Sequence, residues 1–341
     1  MKVLIIGGTG LISTSITTQL LKRGDEVTLF NRGKSEARIP AGAKTLIGDR
    51  KQYAAFEAQM AEAGHFDAVI DMVGFAPEDA ESAVRAFRGR TGHFIFCSTA
   101  CTYGGPASHY PIREDEPQRP MGSYGANKVK CEQTLMAANA AGDFPVTIMR
   151  PAQTYGEGGN IVHTLGGKTT YLDRIRKGKQ IIVHGDGECL WAACHIDDVG
   201  NGFVGAAGNP KAFGKAYNVT GEEWMTWNQY NAGVAEALNA PAPNIVHIPT
   251  DLLAKIASER AGISVEIFQY PNIFDNAAAI ADLGFRYTIP WVEGVRRTVA
   301  WLDERGKVEN SDDDPYDDRI IAAWEKLSAN ITSELSTANP I

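Results

Sequence analysis

A chain of 341 residues with 44% hydrophobic and 22% charged side chains can bury a large core and is neither disordered nor fibrous; two packed lobes are expected rather than one large unit. A formal net charge of −8 argues against a broad nucleic-acid surface, which needs clustered Lys and Arg, and leaves at most a local basic patch. No apolar run has the length of a membrane span and Met1 to Gly7 reads as a strand entering a glycine turn, not a secretion signal, so the expected location is the cytoplasm.

Lys2 to Ile6 form a short β-branched run closed by Gly7-Gly8-Thr9-Gly10, the pattern of a buried parallel strand. From Leu11 to Lys22 apolar residues recur at helical spacing and Gly24 supplies the stop. A glycine turn between a strand and a helix lets backbone amides, through Leu11 and Ile12, approach a pyrophosphate at the positive helix end. The third position of this dinucleotide fingerprint is Ser13 rather than Gly. The change is expected to widen the helix-strand gap without removing an amide from the phosphate.

A second strand, Glu26 to Phe30, delivers Asn31 and Arg32 to the place facing the adenosine ribose. No acid stands there to repel a 2′-phosphate, so the reading is NAD(P) with NADP slightly favoured. A third strand, Lys44 to Ile47, ends at Asp49 and Arg50. Asp49 is placed either on the adenine amino group or as a loop acid capping the next helix. The fourth strand, Ala68 to Asp71, enters a loop with Val73 and Gly74 that should pass over the cofactor, and Pro77 opens a helix to about Arg88.

The fifth strand, His93 to Cys97, delivers Ser98 and Thr99, and Tyr103 follows in a turn. After Gly122 a helix carries Tyr124 and, four residues on and so on the same face, Lys128. A phenol with an ordinary pKa of ~10 is a poor base at neutral pH, and a neighbouring ammonium is expected to lower it. Pro145 to Met149 returns as a sixth strand. The alternation to this point specifies α/β architecture with a doubly wound parallel sheet.

Beyond Pro151 the rhythm breaks into a Gly-rich stretch, 156 to 180, where a substrate loop is expected. Ile181 to Val183 and Ala216 to Val219 read as strands, His195 to Val199 as a helix start, and Asp312 to Asp314 as a solvated loop before a last helix. Cys97, Cys101, Cys131, Cys189 and Cys194 have no framework spacing and read as reduced thiols.

Taken together, Gly7-Gly8-Thr9-Gly10, Ser98-Thr99-Ala100 with Tyr103-Gly104, Tyr124-x-x-x-Lys128, Arg150-Pro151 with Tyr155-Gly156, and Gly185-Asp186-Gly187 with His195-Ile196-Asp197-Asp198 make most of the chain resemble the extended short-chain dehydrogenase/reductase superfamily, in its NAD(P)-dependent epimerase/dehydratase branch. Asn31-Arg32-Gly33-Lys34 and Leu190-Trp191 resemble a subgroup that includes the chloroplast stem-loop-binding proteins. The resemblance implies a Rossmann-type domain over 1-155, joined by later segments near 181-220, and a smaller substrate-binding lobe, mainly 156-341. It implies Tyr124 as general acid/base, Lys128 on the nicotinamide ribose, Thr99 on the reacting hydroxyl and Pro151 among the cofactor contacts. It also implies a homodimer through the helices near Pro77 and Tyr124, and a structural role for His195 to Asp198 at a helix start. No metal is expected.

Departures from the family pattern narrow the chemistry. Ala100 and Cys101 stand where dehydratases carry an acid pair, which disfavours loss of water. Cys189-Leu190-Trp191 stands where sugar-nucleotide enzymes place an Arg for the diphosphate. Trp191 can stack on a sugar face but cannot pair with a diphosphate, so the expected substrate is a sugar, sugar acid or similar polyol without a nucleotide. Arg174, Arg176 or Lys177 would supply the alternative, a positive pocket. Ser98, Tyr103 and Gln153 complete the expected substrate contacts, whereas Trp224 and Trp227 read as core. The rival readings are an RNA-binding protein on the same scaffold and a non-catalytic, dinucleotide-binding redox sensor.

Overall fold

The computed structural model describes residues 1–33 and 39–338; Lys34 lies outside them. The chain parts into two compact units, one of residues 1–156, 192–224 and 272–291, the other of 157–191, 225–271 and 292–341.

In the first unit six strands, β1 (Lys2–Ile6), β2 (Glu26–Asn31), β3 (Lys44–Ile47), β4 (Ala68–Asp71), β5 (Phe94–Cys97) and β6 (Val146–Pro151), join a late strand, Lys215–Val219. They form one sheet in the order Lys215–Val219, β6, β5, β4, β1, β2, β3, parallel throughout. This is the doubly wound parallel sheet that the sequence specifies. Because side chains alternate across a strand, each strand feeds two cores. Val3, Ile5, Val27 and Leu29 face α1 (Leu11–Arg23) and the helix Ile196–Ala206. Leu4, Ile6, Phe30 and Phe96 face α2 (Tyr53–Ala63), α3 (Pro77–Phe87) and α4 (Ser123–Ala140). Sequence patterning passed over α2, because it buries only Phe56 and Met60, one i,i+4 pair among many alanines.

Connections reverse direction about β1, whose neighbours are β2 and β4. In a parallel sheet this leaves a crevice at the carboxyl ends of the strands. Gly7 turns the chain there with φ +85°, and a Cβ on it would lie 2.4 Å from Val73 Cγ1, so only glycine fits.

In the second unit the strand Gln180–His184 pairs in parallel with Asn244–Ile248, and Leu190–Trp191 pairs antiparallel with Met225–Thr226. Leu165, Ile182, Ile248, Leu253, Ile320 and Ile321 form its core. The acidic stretch is not merely solvated: Lys177 reaches Asp312 at 2.7 Å and Lys168 reaches Asp314 at 2.9 Å. Nor do the three basic residues form an open positive pocket. Arg174 pairs with Asp318, Arg176 with Asp303, and Lys177 also with Asp173. Trp227 is core, but Trp224 is 44% exposed. No helix among the described residues is long and apolar enough to cross a membrane.

Candidate active site

The crevice over β1 is a cleft of about 410 Å³, within the size range of small-molecule sites. Gly7, Thr9, Gly10, Asn31, Arg32, Asp49, Arg50 and Val73 line it. Pro151, by contrast, lies at the buried end of β6, paired with Val219, and Gly74 packs where a Cβ would meet Phe96. Gly8 sits against Leu29.

Ser13 does more than widen a gap. Its Oγ accepts from the Gly10 amide at 2.8 Å and donates to the Gly7 carbonyl at 2.9 Å. Gly10 N–H points into its own turn, at Ser13 Oγ and at Gly7 O 3.4 Å away, and the first-turn amides at Leu11 and Ile12 are the donors the helix leaves over. At the other end Asn31 Oδ1 accepts from Gly33 N at 2.9 Å, while its buried Nδ2 has no partner among the described residues. A buried N–H group aimed at nothing in the protein fits a ribose oxygen. Asp49 Oδ1 accepts from Lys51 N at 2.9 Å, so it also shapes its own loop. The residues present suit a dinucleotide.

The catalytic candidates come from β5 and α4. Gly125 lets α4 approach the short Ala100–Thr102 turn so closely that a Cβ would lie 2.5 Å from Cys101 O. This brings Tyr124 beside Thr99. Thr99 Oγ1 accepts from Cys101 N at 3.2 Å, which leaves its proton for the phenol of Tyr124. Lys128 follows on the same face, as the spacing requires, but its ammonium does not lie on the phenol oxygen. Nζ donates to Cys97 O at 2.6 Å and rests 4.7 Å from the ring centroids of Phe75 and Phe96.

That placement overturns the expected electrostatics. Although Tyr124 is 46% exposed, crowding by protein raises its pKa well above the ordinary phenol value, Cys97 and Cys101 add to the rise, and the Thr99 hydrogen bond opposes it. Burial also lowers the Lys128 pKa.

Three expected substrate contacts face elsewhere. Ser98 Oγ donates to the buried Glu132 carboxylate, so its proton is committed. Tyr103, also buried, donates to Asn218 Oδ1 at 2.7 Å and accepts from Arg150 Nη1 at 2.9 Å, and burial pushes its pKa up to about 12. Trp191, in the second unit, is 2% exposed, with Trp227 and Phe268 against its ring. It has no open face for a sugar. Gln153 is partly buried on the strand Gln153–Tyr155. His195 Nδ1 accepts from Asp197 N at the start of the helix Ile196–Ala206, and Asp198 holds the Thr288 and Ile289 amides at 2.9 Å.

Sequence reading missed Glu132. Its spacing, four residues beyond Lys128, was the available signal. Its carboxylate takes Arg150 Nη2 at 2.6 Å and Gln118 Nε2 at 2.7 Å. Phe75 was also missed; its ring, 44% exposed, lies 6.4 Å from that of Tyr124 and lines the cleft.

A glycine turn at the switch point of a doubly wound sheet, with a Thr-Tyr-Lys set beside it, defines a Rossmann-type α/β enzyme of the short-chain dehydrogenase/reductase kind. The NAD dependent epimerase/dehydratase family model matches residues 3–220, and the chain belongs to that family. It is 26% identical to 2′-dehydrokanamycin reductase of Streptomyces kanamyceticus, over 81% of this chain and 77% of that protein. It is 28% identical to the chloroplast stem-loop binding protein of 41 kDa b of Arabidopsis thaliana, over 72% and 65%. Among solved structures it is similar to epimerase Mth375 of Methanothermobacter thermautotrophicus, with TM-score 0.72, 18% identity, and 90% and 93% of the two chains covered.

Proposed function

We propose that the protein is an NAD(P)-dependent epimerase or oxidoreductase acting at a secondary alcohol of a sugar, sugar acid or similar polyol that carries no nucleotide. The observation that carries this reading is the meeting of Thr99, Tyr124 and Lys128 next to Phe75, a wall of the glycine-turn cleft. Bound NAD(P) supplies the hydride acceptor and donor. Tyr124, protonated at neutral pH because of its raised pKa, gives its proton to a carbonyl oxygen in reduction; in oxidation it takes the carbinol proton only as the phenolate, which the positive charge of an oxidised cofactor would favour. Thr99 hydrogen-bonds the reacting oxygen. Lys128, anchored on Cys97 O, holds positive charge beneath the pair. Exposed Arg32, with no acid at Asn31, supports a 2′-phosphate and hence NADP over NAD. The absence of an Arg after Gly185-Asp186-Gly187 supports a substrate without a diphosphate. A homodimer through α3 and α4 and a cytoplasmic location complete the reading.

The test is absorbance at ~340 nm with NADH or NADPH and a panel of keto sugars, and with the oxidised cofactors and the matching polyols. Hydride transfer that Tyr124→Phe reduces by about 10²-fold or more supports the assignment. Stoichiometric reduced cofactor accumulating with an alcohol selects a dehydrogenase over a self-contained epimerase. No transfer with any substrate of this class refutes the proposal.

A further inference from the structure

Asp79, the third residue of α3, has a fully buried carboxylate. An acid at this position commonly folds back on the helix N-terminus, and Oδ2 does accept from Ala76 N at 3.0 Å. Capping explains neither the burial nor the other partners. Oδ2 also accepts from Phe75 N at 2.8 Å, Lys51 Nζ lies 2.7 Å from each oxygen, Tyr53 donates to Oδ1 at 3.1 Å, and Arg50 Nε stands 3.5 Å away. Burial alone would raise the Asp79 pKa, but Lys51, the two amides and Arg50 outweigh it and hold the group ionised.

Arg50 and Lys51 line the cleft beside Asp49, where adenosine is expected, and Phe75, which also lines it, carries its ring next to Tyr124 and Lys128. A second acid repeats the connection. Asp71, also buried, pairs with Arg50 Nη2 at 3.0 Å and accepts from Val73 N at 3.0 Å. The loop from Val73 to Ala76 is thus fastened by two carboxylates, both joined to Arg50. Arg50 keeps two buried groups, Nε and Nη1, without a hydrogen-bond partner among the described residues.

We propose that Asp79 is a positioning residue tying the adenosine end of the cleft, through Lys51 and Arg50, to the Phe75 loop at the catalytic end, so that a ligand held at the first end orders the second. The proposal rests on the cleft taking a dinucleotide. A ligand that draws Lys51 or Arg50 toward itself changes what Asp79 can bind, and the Phe75 and Ala76 amides report that change. Coupling of this kind usually amounts to about 5-fold or more.

The experiment uses ADP, which reaches the adenosine end and carries no nicotinamide, with calorimetry to measure its binding and hydrogen exchange to follow amides 73–80. In the wild-type chain saturating ADP should slow exchange in this segment by about 5-fold. Asp79→Asn, which keeps the shape and removes the charge, should bind ADP with little slowing. Lys51→Met, which leaves Asp79 its amide partners, is brought to its own ADP saturation by calorimetry, should then show little slowing, and decides the matter if Asp79→Asn does not fold. ADP binding without slowing in the wild type, or slowing that persists in Lys51→Met, overturns the coupling alone. No ADP binding to the wild type overturns the dinucleotide reading and the coupling with it.

Discussion

Truncating Glu132 should be among the most damaging single changes in the first unit, and its size follows from what the carboxylate holds. Glu132 sits on α4 one turn beyond Lys128 and is almost entirely buried, as is Arg150 on β6. It accepts from Arg150 Nε at 3.1 Å and Nη2 at 2.6 Å, from Gln118 at 2.7 Å and from Ser98. Glu132→Ala would leave Arg150 with only the Tyr103 phenol at 2.9 Å and Glu114 O at 3.2 Å. A buried cation stripped of its carboxylate costs about 3–5 kcal/mol. For a cooperative unit of this size that corresponds to a fall in Tm of roughly 6–20 °C, measurable by circular dichroism. Removing both charges as Glu132→Leu with Arg150→Met should cost less than the sum of the single changes by about 2 kcal/mol, because neither ion is then left alone. Single variants that each lose less than about 1 kcal/mol, or a double variant that equals their sum, would refute this account of α4.

Further outcomes follow from other parts of the first unit. Gly7→Ala forces a side chain into a left-handed turn and into Val73; it should abolish NADH binding in a fluorescence titration, and normal binding would contradict the cleft assignment. His93 is buried, with Thr147 Oγ1 at 2.8 Å from Nε2, and burial lowers its pKa to about 4. Its folded value lies below the unfolded one, so its contribution is full above about pH 6.5 and is lost as pH falls toward 4, about 3 kcal/mol in all. Denaturant unfolding at pH 7 and pH 5 checks this, since His93→Gln should flatten the decline. A gel shift with structured RNA at low salt should show no complex, given a net charge of −8; a salt-sensitive shift would favour the RNA-binding alternative.

Local pattern determined much of this protein. The strand-turn-helix at the N-terminus, the alternation through Met149 and the Tyr124-Lys128 spacing depend on neighbours within a few residues, and periodicity exposes such neighbours directly. Tertiary structure decided where the polar ends of those side chains went. Lys128 shares a face with Tyr124, yet its ammonium donates its hydrogen bond to Cys97 O, 31 residues away. Ser98 and Tyr103 stand in the expected places, but Glu132, Arg150 and Asn218 engage their hydroxyls, and Trp191 is closed off by Trp227 and Phe268. Asp79 reads as an ordinary helix acid until Lys51 and Arg50 reach it from the loop after β3. A hydrogen bond is won by whichever partner the folded chain brings within about 3 Å, and distance along the sequence says little about which that will be.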